Sequence, residues 1–213
     1  MNLNGTLGGT KIVKIHGNAA LLIIDAQTGF AHSVFDVKPA LKGMEKMIAA
    51  AREAMIPVIF SQEVHRRNLI DFGRELDGAE DIHCLEGTTD IEIIDSLDRC
   101  DGDYLIQKRR YSCFFSTDLE ILLKGLKVET LIICGFLTDV CVHYTSVDAH
   151  QHDYNVKVVV DAVRGSSEEA HEAALKAIQY LQRDGLTNSE EVVDWLRQYI
   201  NQKGREKSDC LEG

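Results

Sequence analysis

Three residues from separate parts of the chain could act together on a carbonyl carbon: Asp25, Lys108 and Cys141. A cysteine thiolate is a strong nucleophile, favoured by a helix N-terminus and by a nearby ammonium. A carboxylate within reach can take the thiol proton and later return it to a departing nitrogen. Met alone, each residue has a plainer use. An aspartate that closes a strand is commonly a turn residue, and a lysine there is commonly a solvated charge. A cysteine among apolar neighbours is commonly a small buried hydrophobe. The three gain weight only if the elements that carry them bring them to one place.

Those elements alternate along the chain. AALLIID (19–25) is an apolar run ending in an acid and predicts a strand, as do PVIFSQ (57–62), YLIQK (104–108), TLIICG (130–135) and KVVVD (157–161). Between them, residues 39–55 space apolar side chains at three and four and predict a helix with Pro39 in its first turn. Residues 117–126 predict a second helix, capped by Ser116 or Thr117, and another follows from Asp139 to about His152. Residues 166–182 open on a capping box from Ser166 to Glu169, and 188–200 on a similar pair, Asn188 and Glu191. Apolar strands separated by helices predict an α/β fold: a three-layer α/β/α sandwich with a mostly parallel, doubly wound central sheet. In such sheets ligands bind outside the carboxyl ends of the strands. Asp25 closes the first strand, Lys108 closes the third, and Cys141 follows the fourth, three residues after Thr138 as helix cap. The three therefore share one rim, and the amides near Leu137 and Cys141 could hold a developing oxyanion there.

Bulk properties narrow the field. A net charge of -11 excludes a nucleic-acid partner, which would need a basic surface. No apolar run reaches the roughly 18 residues of a membrane span, and the first residues show no signal peptide. Two prolines, no repeat and no linker predict a single domain over 1–213, although the closing tripeptide LEG is given no weight. Six cysteines without CxxC spacing predict reduced thiols and a cytoplasmic location. The first strand is followed by IIDAQTGF, with Asp where a dinucleotide loop needs glycine, and no GxSxG occurs.

The segments ALLIIDAQTGF (20–30), KRRYSCFFSTDL (108–119) and LIICGFLTDVCVHYTSVDAH (131–150) resemble the isochorismatase-like cysteine hydrolases, which include nicotinamidases and N-carbamoylsarcosine amidases. The resemblance covers nearly the whole chain, in the family's order and spacing. It implies that Asp25, Lys108 and Cys141 form a catalytic triad and that the peptide Phe136–Leu137 is cis, aiming the Leu137 amide into an oxyanion hole. It further implies a homodimer or homotetramer, for which the helix 166–182 and the helix bearing Trp195 are candidate faces. Isochorismatase proper lacks the cysteine, so Cys141 favours the branch that cleaves C–N bonds of small amides or carbamoyl and ureido compounds. A non-catalytic binding protein on the same fold has no need of Cys141.

The polar stretch 63–90 is long and irregular, as substrate loops commonly are. Nicotinamidases hold a divalent metal in this region through Asp-x-His and further histidines. This chain has Glu63-x-His65, with Asp71 near where another histidine would fall and His83 ahead of Cys84. The match is partial, and hydrogen bonds tying down the loop are the preferred use of His65 and His83; no metal or cofactor is expected. Arg66, Arg67 or Arg74 could pair with a substrate carboxylate. Phe30, Gln62, His65, Arg74, Tyr111 and Phe114 are the expected substrate-binding residues.

Overall fold

A computed structural model describes residues 13–78 and 80–209. The first twelve residues, Cys210 and the LEG tripeptide lie outside the described residues. Six strands form one sheet in the order β3-β2-β1-β4-β5-β6. These are β1 Asn18–Ile24, β2 Val58–Glu63, β3 Tyr104–Lys108, β4 Val128–Phe136, β5 Asn155–Arg164 and β6 Leu186–Thr187. Every neighbouring pair is parallel. The chain runs outward from β1 to β3, then crosses back to β4 and runs outward the other way. Right-handed crossovers therefore put helices on both faces. Helices α1 (Val37–Glu53) and α5 (Ser189–Asp209) pack together over β5, while α2 (Leu119–Gly125), α3 (His143–Gln151) and α4 (Glu168–Leu181) cover the opposite face. Covering on both faces is why the central strands are apolar throughout: β1 is buried from Ala19 to Ile24.

The direction of winding reverses between β1 and β4, so a cleft opens where their carboxyl ends part. Gly135 makes this junction close. Its φ is +117°, and a Cβ there would fall 2.0 Å from the Ile24 carbonyl oxygen. Only glycine lets β4 lie against β1 at this point. The next peptide, Phe136–Leu137, is cis.

Several predicted boundaries shift. Cys141 sits in a π-helical turn, Thr138–Val142, that precedes α3, rather than in the first turn of an α-helix. The cap of α4 is Ser167, whose hydroxyl accepts the Ala170 amide; Ser166 instead gives its amide and hydroxyl to Asp139. Asn188 does accept the Glu191 amide at 2.9 Å, but the Glu191 carboxylate turns to the Thr187 hydroxyl. β6 is too short for a sequence pattern to announce it. The loop after β2 runs on to β3 through short 3-10 turns. All five described cysteines are free thiols. No helix among the described residues is long and apolar enough to cross a membrane.

Candidate active site

The rim beyond the β1–β4 junction gathers the three residues that sequence singled out. β1 delivers Asp25, β3 delivers Lys108, and the turn after β4 delivers Cys141; all are buried. The Lys108 ammonium lies 2.6 Å from Asp25 Oδ2 and 3.4 Å from Cys141 Sγ. The Asp25 contact is an ion pair without regular hydrogen-bond alignment. Ser61, at the same level of β2, fixes Asp25 from both sides. Its Oγ accepts the Asp25 amide at 3.1 Å and donates to Oδ1 at 2.6 Å.

A fourth charged group enters that the sequence did not place here. Glu63 closes β2, and its Oε2 lies 2.5 Å from the Lys108 ammonium and 3.9 Å from Cys141 Sγ. Its backbone is gripped by Gln27, whose side-chain amide donates to the Glu63 carbonyl and accepts the Glu63 amide, at 2.9 and 2.7 Å. One lysine thus serves two carboxylates, and their surroundings push them apart. Burial lifts Asp25 above its ordinary value, only partly opposed by Lys108, with Glu63 lifting it further. Burial also opposes ionisation of Glu63, yet Lys108 and hydrogen bonds from His65 and His83 hold it well below the usual range. Glu63 is thereby the fixed anion and Asp25 the group able to carry a proton. Burial, with Asp25 and Glu63 adding to it against Lys108, pushes the Cys141 thiol up. A helix N-terminus alone would lower it; burial, joined by the two carboxylates, outweighs that pull. The ligand atoms of Asp25, Glu63 and Cys141 lie within 4.8 Å of one another.

The other Glu63 oxygen, Oε1, points into the loop. It lies 2.7 Å from His83 Nε2 and 3.4 Å from His65 Nε2. Glu75, from a 3-10 turn, brings Oε2 to 3.5 Å from the same His65 nitrogen. Phe72 stacks on the His65 ring at 3.8 Å and fixes it. Ligand atoms of Glu63, His65 and His83 lie within 4.8 Å of one another. Hydrogen bonding does not satisfy this cluster: His65 Nδ1 and both Glu75 oxygens are buried without a partner, a costly arrangement. Two imidazoles and one carboxylate around one point, with the Glu75 carboxylate against His65, fit a divalent cation such as zinc. Asp71 lies on the other edge of His65, 3.6 Å from Nδ1, where it could orient the ring. Glu75 was missed because nothing in its local sequence separates it from the loop's other acids.

Above Cys141 the site narrows to a slot of about 10 Å³ that also touches Glu63 and Phe136. The slot opens into a cavity of about 650 Å³. The two share Phe30, Glu80, Tyr111, Leu137 and Val140. Of the expected substrate-binding residues, Phe30 and Tyr111 line this space. The other four do not. Gln62 bonds to the Ile91 carbonyl and to Gln107. His65 lies in the cluster beneath. Phe114 stacks on His152. Arg74 is 94% exposed and pairs with Asp77. Arg66 faces Asp71, and Arg67 holds Glu86 and the Gly87 carbonyl.

A site of this kind, at the switch point of a parallel sheet, has close counterparts. Residues 19–190 match the isochorismatase domain, and the chain belongs to that family. It is 32% identical to nicotinamidase 3 of Arabidopsis thaliana over 164 residues, 76% of this chain and 81% of that one. It is 30% identical to the ureidoacrylate amidohydrolase RutB of Pseudomonas syringae pv. syringae over 190 residues, 76% of this chain and 78% of the other. Among solved structures it is similar to the pyrazinamidase of Pyrococcus horikoshii in complex with zinc, with a TM-score of 0.71 and 28% identity over 81% of this chain and 98% of that one.

Proposed function

We propose that the protein is a cysteine amidohydrolase that cleaves the C–N bond of a small amide through a thioester on Cys141. The observation that carries this is the contact of one buried thiol with a lysine that also pairs with a buried aspartate. Cys141 Sγ bonds to the amide carbon while its proton passes to Asp25. The carbonyl oxygen becomes an oxyanion, for which the Leu137 and Cys141 amides are the proposed donors. As the intermediate collapses, the C–N bond breaks and Asp25 returns the proton to the departing nitrogen. Water then attacks the thioester with Asp25 taking its proton, the C–S bond breaks, and the thiol is restored. Lys108 balances whichever of Asp25 and Cys141 carries the negative charge. Family membership and the named amidohydrolases among its relatives support the reaction class.

Ammonia release from a panel of small amides and ureido compounds tests this. The wild type should turn over at least one, and Cys141→Ser should lower that rate by roughly 10³-fold or more. Retained activity in the mutant would overturn the mechanism.

The cluster below the pocket favours a second element, a divalent cation held by Glu63, His65, His83 and Glu75. The buried Glu75 carboxylate, which makes no hydrogen bond, carries this reading. When bound, a cation supplies Lewis acidity and an anchoring point beside the slot. Elemental analysis of protein purified without chelators should find about one zinc, iron or manganese per chain, absent from His65→Ala, and chelation should lower the thermal midpoint of the wild type. Metal-free protein whose midpoint does not respond to added cation would refute it.

A further inference from the structure

The walls of the cavity carry charge of one sign. Glu80, Asp81 and Asp139 line it, along with Glu75, which belongs to the cation cluster and whose carboxyl burial lifts to about 7, and among the described lining residues there is no lysine or arginine. The single basic group, His83, is turned toward Glu63, 2.7 Å from its Nε2, with Glu80 Oε2 farther off at 3.9 Å, and its Nδ1 bonds to the Asp81 carbonyl. Asp139 is held by Ser166. Glu75 is only 4% exposed and its carboxylate oxygens have no hydrogen-bond partner. Glu80 stands at the throat, lining both the cavity and the slot over Cys141. Three aromatic rings, Phe30, Tyr111 and Tyr144, also line the cavity. Tyr111 and Tyr144 stack at 5.6 Å, and Phe30 packs against His83. Aromatic faces beside carboxylates attract cations and accept flat neutral rings. A carboxylate entering this space would meet like charge with no guanidinium to receive it.

We infer that this site takes small amides whose far end is neutral or positively charged and turns away those that bear a carboxylate, with Glu80 and Asp81 as the selecting residues. This rests on the reading of Cys141 as the reacting group of an amidohydrolase. It sets aside a carbamoyl amino acid or ureido acid as the substrate, because the arginines that would have recognised one lie outside the cavity.

Two measurements separate the inference from the reading beneath it. The first compares hydrolysis of benzamide, 3-(aminomethyl)benzamide and 3-carbamoylbenzoate, together with propionamide, glycinamide and succinamate. In each series the carboxylate should be the slowest by about 10-fold or more in kcat/KM, an electrostatic selection of ordinary size. A carboxylate hydrolysed as fast as its neutral counterpart would overturn the inference. The second needs no turnover. Cys141 is modified with cationic and anionic methanethiosulfonates of equal size, peptide mapping identifies the site, and the exposed Cys100 serves as internal reference. The cationic reagent should be favoured at Cys141, and Glu80→Gln with Asp81→Asn should shrink that preference several-fold. Equal rates, or preference for the anion, would overturn the inference whether or not any amide is cleaved. If no amide is cleaved, the amidohydrolase reading falls, and the modification ratio still decides the charge of the cavity.

Discussion

Lys108 and Lys157 are buried to the same degree, each 1% exposed, on strands of the same sheet. They do different things. Lys157 lies near the start of β5 and reaches sideways to the sheet margin, where it bonds to the carbonyl of Asp184 at 2.7 Å and its carboxylate at 2.8 Å. That carboxylate is 55% exposed, so water shares the charge and the stem does the packing. Lys108 ends β3 at the opposite margin of the strands, and its partners are as buried as it is. Two carboxylates and a thiol compete for one ammonium. Burial of a cation therefore says little about function. What distinguishes a site is an excess of buried partners whose protonation can change.

Substitutions at the two lysines should separate these roles. Lys108→Met leaves Asp25 and Glu63 facing each other without a counter-charge. Amide hydrolysis should fall by roughly 10³-fold, and stability by about 3–5 kcal/mol unless the carboxylates take up protons. Steady-state kinetics and urea unfolding check both. A Lys108→Met protein with near-normal kcat would mean that the thiol needs no ammonium. Lys157→Met should be nearly silent. Its volume is similar and its partner remains solvated, so stability should change by less than about 1.5 kcal/mol and kcat should not move. Smaller still is the pH response of the outer pair. The hydrogen bond from Lys157 leads the causes that hold the Asp184 carboxyl below its ordinary 3.8. A depressed carboxyl contributes stability above the unfolded value and loses it as pH falls through the folded one. Acid unfolding of wild type and Lys157→Met should therefore differ in full above about pH 3.8 and converge only as pH falls through the lower folded value. A difference that persists at lower pH would assign the effect to packing.

The fold was readable because strands buried on both faces leave continuous apolar runs, and TLIICG between two helical stretches can hardly be anything else. The same rule located Asp25, Lys108 and Cys141, since strand ends in a parallel sheet share a rim. Legibility failed where a side chain's role depends on what lies across space. Glu63 stood in the sequence as a loop acid and metal candidate. Only the β2–β3 register, which sets it beside Lys108, makes it a partner of the lysine. Ser61 and Gln27 were hidden for the same reason, each being a polar residue in a strand or turn whose partner is 36 positions away. The arginines of the loop suggested an anion site by composition, but Asp71, Asp77 and the carbonyls of Glu86 and Gly87 claim them locally. The thiol's own tendency differs from what a helix N-terminus alone implies, because burial, and after it Asp25 and Glu63, outweigh a partial charge.

The most direct test of the central claim is to catch the bond that the mechanism forms. Wild-type protein is quenched in acid during turnover of its best amide, or of the matching ester, and its mass is measured before and after peptide mapping. The account predicts an added acyl group on the peptide containing Cys141, absent when the residue is serine or alanine. An acyl group on any other residue, or turnover that persists in Cys141→Ala, would contradict it.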